Sequence, residues 1–166
     1  MNELANVRQS SLLAEVVNFI WREAEYLDDQ AYDAWLALWA TGGYYTMPIG
    51  DTPADRLHDA LNLCHDDEHM RLARVTRFKE GFSISSAPPA QTIRTLSRFR
   101  IISDDGEAIH VRCSQHLVED KFGRQRLFAA NVSYRLRRDG DGFLIQDKIV
   151  RLLNSEGVLT SFSYLF

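Results

Sequence analysis

The sequence predicts an α+β fold, with N-terminal helices packed in a strongly curved antiparallel sheet. Three observations lead there. An apolar stripe at helical spacing opens the chain, four long extended runs close it, and short Asp/Gly turns join those runs. Helices followed by hairpin-linked strands form two layers around one core.

The elements follow in order. Leu13, Val16, Val17, Ile20, Ala24 and Leu27 share one helical face, which predicts a helix from about Ser11 to Leu27, capped by Ser10 or Ser11. Asp28-Asp29 reads as a break and a second cap. A shorter helix then carries Tyr32, Trp35, Leu36, Leu38 and Trp39, and Gly42-Gly43 reads as its end. Tyr44-Tyr45-Thr46-Met47 reads as a short strand stopped by Pro48, and residues 49–60 as an irregular loop. Asp66–Leu72 reads as a helical turn, Ala73–Phe78 as a strand, and Ser83–Pro89 as a loop. Long strands are predicted at Thr92–Ser103, Glu107–Glu119, Gln125–Arg137 and Phe143–Leu153, punctuated by Asp104-Asp105-Gly106, Asp120-Lys121-Phe122-Gly123 and Asp139-Gly140-Asp141-Gly142. Strands this long must twist and coil, so the sheet should curve around the helices. A cone of this kind resembles the nuclear transport factor two-like, or cystatin-like, fold.

Composition sets the outer bounds. The 166 residues show no repeat and no linker, which predicts a single domain over 1–166. Hydrophobic content of 45% and charged content of 25% suit a globular chain with a substantial core. No apolar run approaches the roughly 20 residues of a membrane span. The start, Met1-Asn2-Glu3-Leu4-Ala5-Asn6, has neither a basic segment nor an apolar one, so a cytoplasmic protein is expected. Cys64 and Cys113 are then expected as free thiols. Net charge is −4, yet residues 1–69 hold 13 acids and 3 bases, whereas residues 71–138 hold 14 bases and 6 acids. That asymmetry reads either as solvated faces or as a subunit interface. Basic residues spread over both strand faces argue against nucleic acid.

Candidate chemistry is thin. His65-Asp66-Asp67-Glu68-His69 matches H-x-x-E-H, which on one helix would set two imidazoles toward zinc. The flanking aspartates favour a turn or cap instead. Cys113-Ser114-Gln115-His116 is half of a Rieske iron–sulfur motif, but its other half is missing and residues three apart on a strand face opposite sides. Neither pattern supports a metal in this chain. Tyr45, His110, His116 and Asp147 could act as acid and base inside a cone; Tyr45, His110 and Asp147 form the alternative catalytic set of a stand-alone isomerase or dehydratase. His110, Arg112 and His116 on one strand face look more like a wet or partner-facing surface.

Several segments together resemble one family. They are Glu23-Ala24-Glu25-Tyr26-Leu27-Asp28; Tyr32-x-x-Trp35-Leu36-x-Leu38-Trp39 leading to Tyr44-Tyr45-Thr46-Met47-Pro48; Asp66-Asp67-Glu68-x-x-Arg71-Leu72-x-Arg74-Val75-x-Arg77; Pro88-Pro89; Asp139-Gly140-Asp141-Gly142-Phe143; Asn154-Ser155-Glu156-Gly157-Val158-Leu159; and Phe162-Ser163-Tyr164-Leu165-Phe166. Their order is similar to that in the small (β) subunit of aromatic-ring-hydroxylating dioxygenases. Pro88-Pro89 continues here as Ala90-Gln91-Thr92 where the family has Ser-Arg-Thr, and the tryptophan usual before the prolines is absent. The resemblance implies a cone fold without a metal and a catalytic α subunit as partner. That partner would carry a Rieske [2Fe-2S] cluster and a mononuclear iron. The implied assembly is a homotrimer of β subunits within a hexamer of three α and three β. Electrons from NAD(P)H would support the addition of both atoms of O2 to an arene. Asp66, Asp67, Arg71, Arg74 and Arg77 are expected to form ion pairs within or between subunits. Phe162, Tyr164 and Phe166 are expected either to close the cone or to lie at a trimer contact.

Overall fold

A computed structural model describes residues 2–80, 90–153, 155 and 165–166, with side chains from residue 9 onward. The predicted loop at Ser83–Pro89 and the tail aromatics Phe162 and Tyr164 lie outside the described residues.

Helix α1 spans Asn2–Asp28. It is longer than expected, and Ser10 and Ser11 fall inside it. The Ser11 hydroxyl donates to Glu15 at 3.0 Å instead of capping. Val16, Ile20, Ala24 and Leu27 are buried as the stripe predicts, joined by Phe19 and Glu23. The break after Asp28 is real, but its carboxylate caps nothing in α2 (Tyr32–Leu36), whose N-cap position is Ala31 without a side-chain bond. Asp28 reaches the sheet, accepting from the Thr92 hydroxyl and the Arg94 N–H, both at 2.9 Å, and from the Arg94 guanidinium.

The second helix is shorter than predicted, because Trp39 already belongs to strand β1 (Trp39–Pro48). Gly42-Gly43 therefore lies within a strand and ends no helix. Gly42 takes φ +78° where the register with the next strand shifts. At Gly43 a Cβ would stand 2.0 Å from the Gln146 carbonyl oxygen, so only glycine permits this approach of two backbones. A 3-10 turn at Ala54–Asp59 orders the expected loop. Strand β2 (Asn62–Asp66) follows, then helix α3 (Glu68–Lys79) where a strand was expected at Ala73–Phe78. The local signals explain the difference. Asp67 caps the first turn by accepting from Met70 N–H at 2.8 Å, Arg77 and Lys79 occupy the last turn, and the buried Arg71 and Val75 are four residues apart.

The four long strands occur as predicted: β3 (Gln91–Asp104), β4 (Ala108–Lys121), β5 (Arg124–Asp139) and β6 (Gly142–Leu152). Phe122 and Gly123 both have positive φ, as a two-residue hairpin turn requires. The sheet order is β2-β1-β6-β5-β4-β3. All neighbours are antiparallel except β1 and β6, which run parallel. Register shifts in β3 and β5 bend the sheet. Its inner face wraps the helices around a core that includes Ile20, Trp35, Ile109, Leu136 and Val150.

Candidate functional site

Polar chemistry gathers in two places, one on each face of the sheet. Inside the cone, Glu23 interrupts the apolar stripe of α1. Lys148 shares the inward phase of β6 with Val150 and Leu152. The two meet at 2.7 Å, each 1% exposed. Glu23 Oε1 also accepts from Trp35 Nε1 at 3.0 Å, and Oε2 accepts from the Tyr134 hydroxyl at 2.8 Å. Lys148, Trp35 and Tyr134 thus converge on the two oxygens of Glu23. Burial pushes the Lys148 ammonium down, opposed by Glu23. Burial drives the Tyr134 and Tyr45 hydroxyls well above their ordinary range.

The alternative catalytic set is not assembled. Tyr45 is on the inner face, bonded to Met47 Sδ at 3.3 Å and to Phe166 N–H at 3.0 Å. His110 and Asp147 are on the outer face. Pairing register explains the split, since Tyr44, not Tyr45, lies opposite Asp147. Cys113 points inward and His116 outward, as alternation requires. The H-x-x-E-H residues also separate: His65 sits on β2, while Glu68 and the exposed His69 sit on α3. Among the described residues, no group of three or more His, Cys, Asp or Glu is placed to hold a metal ion.

The outer face is built from cross-strand ladders. One aligns His110, Arg135, Asp147 and Tyr44 across β4, β5, β6 and β1. The next aligns Arg112, Ser133, Ile149, Thr46 and His65, and Arg151 stands in a third. The 3-10 turn folds over one end. There His58 Nδ1 and His65 Nε2 share a hydrogen bond of 2.9 Å, and Tyr44 stacks on His65 with centroids 4.7 Å apart. Thr46 bonds the other nitrogen of His65 at 2.9 Å. Partial burial and the neighbouring His58 hold the His65 imidazole below its ordinary pKa. From the sequence, His110 and Arg112 share one strand face, with His65 and Asp147 apart from them; only the register shows all four on one surface with His58, Arg135 and Arg151.

The acidic-to-basic segment is largely consumed within the chain. Arg74 grips buried Asp66 through two hydrogen bonds, at 2.5 and 2.9 Å. Arg71 donates to the carbonyls of Gly43 and Asp66 and lies 4.1 Å from the Trp39 ring centre. Asp67 caps α3 and forms no ion pair among the described residues. Arg77 is exposed and forms no ion pair among the described residues. Phe166 is buried in its own chain, edge-on to Phe128 at 5.5 Å, as the cone-closing alternative expects of it. The Leu165 carbonyl accepts from Arg94.

A curled, unclosed sheet around N-terminal helices defines the class of cystatin-like cones. An NTF2-like protein with a cystatin-like fold from Novosphingobium aromaticivorans superposes with a TM-score of 0.63, at 16% identity, covering 92% of this chain and 89% of the other. The profile of the ring hydroxylating beta subunit family matches residues 22–157, and the chain belongs to that family. It is 29% identical over 150 residues to the 2-halobenzoate 1,2-dioxygenase small subunit of Burkholderia cepacia, covering 88% of this chain and 90% of that one. The beta subunit of benzoate 1,2-dioxygenase from Burkholderia mallei superposes with a TM-score of 0.75 at 25% identity, covering 92% and 96% of the two chains.

Proposed function

We propose that this chain is the assembly subunit of an aromatic-ring-hydroxylating dioxygenase and is not itself catalytic. The family match over residues 22–157 carries the reading. It is supported by the interior of the cone, where Glu23, Lys148, Tyr134 and Trp35 satisfy one another. The α partner holds the Rieske [2Fe-2S] cluster and the mononuclear iron. The complex uses electrons from NAD(P)H to place both atoms of O2 on an arene, and it comprises three α and three β subunits in the cytoplasm. Arg77, exposed on α3, is the member of the charged segment available to a partner.

Co-expression with candidate α subunits tests this. Light scattering should give the mass of a hexamer, with iron and acid-labile sulfide only in fractions that contain α. An isolated β chain that carries stoichiometric iron, or that forms no complex with any α subunit encoded beside it, would overturn the proposal.

A further inference from the structure

The outer face carries a cavity for which the assembly reading gives no use. Its volume is about 380 Å³, within the range of sites that hold small organic molecules. Arg112, Arg135 and Arg151 line it from β4, β5 and β6. None of the three forms an ion pair among the described residues. The one carboxylate in the lining, Asp147, already accepts from Tyr44 N–H at 3.2 Å. Arg151 Nη1 is buried without a hydrogen-bond partner, and an unsatisfied buried donor of a charged group is costly. An anion in the cleft would balance three guanidinium charges that no carboxylate pairs among the described residues.

The remaining lining selects among anions. The Tyr44 ring, Leu57, Ile102 and Ile149 supply apolar and aromatic surface beside the arginines. Inorganic phosphate would meet the guanidinium groups and leave that surface wet. A planar carboxylate on a hydrocarbon body uses both, because a guanidinium fork offers two parallel N–H groups to two oxygens. We infer that this cleft binds a small organic carboxylate, its charged end on Arg112 and Arg151 and its body against Tyr44 and Leu57. The inference does not depend on the assembly role.

Equilibrium dialysis of the full-length chain with benzoate, and with uncharged benzamide as control, tests it. Benzoate should bind one site per chain at least about tenfold more tightly than benzamide, the worth of one charge-assisted contact. Arg112→Gln/Arg151→Gln should reduce benzoate to the benzamide level with unchanged circular dichroism. If that variant does not fold, the exposed single change Arg135→Gln should still weaken benzoate and not benzamide. Equal affinity for the two probes, binding unaffected by the variants, or displacement of benzoate by equimolar phosphate would each overturn the inference. The same carboxylate chemistry could come from a neighbouring subunit's side chain. Complexes assembled with wild-type and double-variant chains distinguish that source: a difference in benzoate uptake supports a free ligand, and equal uptake overturns it.

Discussion

Glu23 on α1 and Lys148 on β6, 125 residues apart in the chain, form an ion pair of 2.7 Å inside the cone. Taking two charges out of water is repaid only when the geometry is good and the remaining lone pairs are satisfied. Trp35 and Tyr134 supply those further bonds. Lys148→Met should therefore cost about 3–5 kcal/mol, since it strands a buried carboxylate. Glu23→Gln/Lys148→Met should recover most of the loss, because no uncompensated charge remains. Urea unfolding of the three proteins checks this. A single variant within about 1 kcal/mol of wild type would mean that the pair is solvated.

Alkaline pH should unfold the protein through groups that burial keeps protonated. Tyr45 and Tyr134 are pushed well above 10.0, and the Cys64 and Cys113 thiols are each pushed up to about 12 by burial. In the unfolded chain these groups lose protons near their ordinary values, so above about pH 9 the unfolded state binds fewer protons and stability falls with rising pH. Burial raises Tyr32 as well; Lys148, pushed below 10.5, and Arg71, pushed below its ordinary value, act in the opposite sense but are outnumbered. Absorbance at 295 nm should show two of the six tyrosines titrating only as the fold is lost. All six ionising in one step near pH 10 on a folded chain would contradict this.

Arg74 should matter more to stability than Arg77, although both belong to one charged segment. Asp66 is 1% exposed and Arg74 26% exposed, so Arg74→Ala leaves a buried carboxylate with one wet edge. The cost should lie near the low end for a broken buried pair, about 3 kcal/mol. That corresponds to a melting point lower by roughly 6–12 °C. Arg77→Ala should move it by no more than about 1–2 °C, the effect of an ordinary surface change. Equal shifts for the two variants would show that the bidentate contact contributes little.

Legibility in the sequence followed the range of the interactions. The four hairpin-linked strands could be read because Asp/Gly turns and strand length are local signals. Strand β1 could not be bounded, because it begins where Leu38 C=O meets Ile145 N–H, 107 positions away, and because Gly43 is needed for a contact with Gln146 and not for a helix end. Helix α3 was legible in principle: Asp67 followed by Met70, with buried positions at Arg71 and Val75, is a capped helical pattern. The alternation of bases and apolar residues at 73–78 masked it. Glu23 and Lys148 each broke an apolar phase, a signal that marks a buried charge without naming its partner. The outer cleft depends on pairing register across four strands, which no single segment contains.

The chain's last residue should act as a core residue and not as a subunit contact. Phe166 is 1% exposed within a single chain. Its N–H donates to the Tyr45 hydroxyl, its ring packs on Phe128, and the adjacent Leu165 carbonyl takes the Arg94 guanidinium. Arg94 in turn holds Asp28 at the end of α1, so the final two residues help to fasten the helix layer to β3. Phe166→Ala should cost about 3–5 kcal/mol, as for other buried aromatics cut to alanine. Deleting residues 165–166 should cost more, because the Arg94 guanidinium then loses a buried acceptor. Thermal unfolding should report both losses at every protein concentration. A Tm loss that disappears on dilution, accompanied by a drop in oligomer mass, would instead assign Phe166 to a contact between copies.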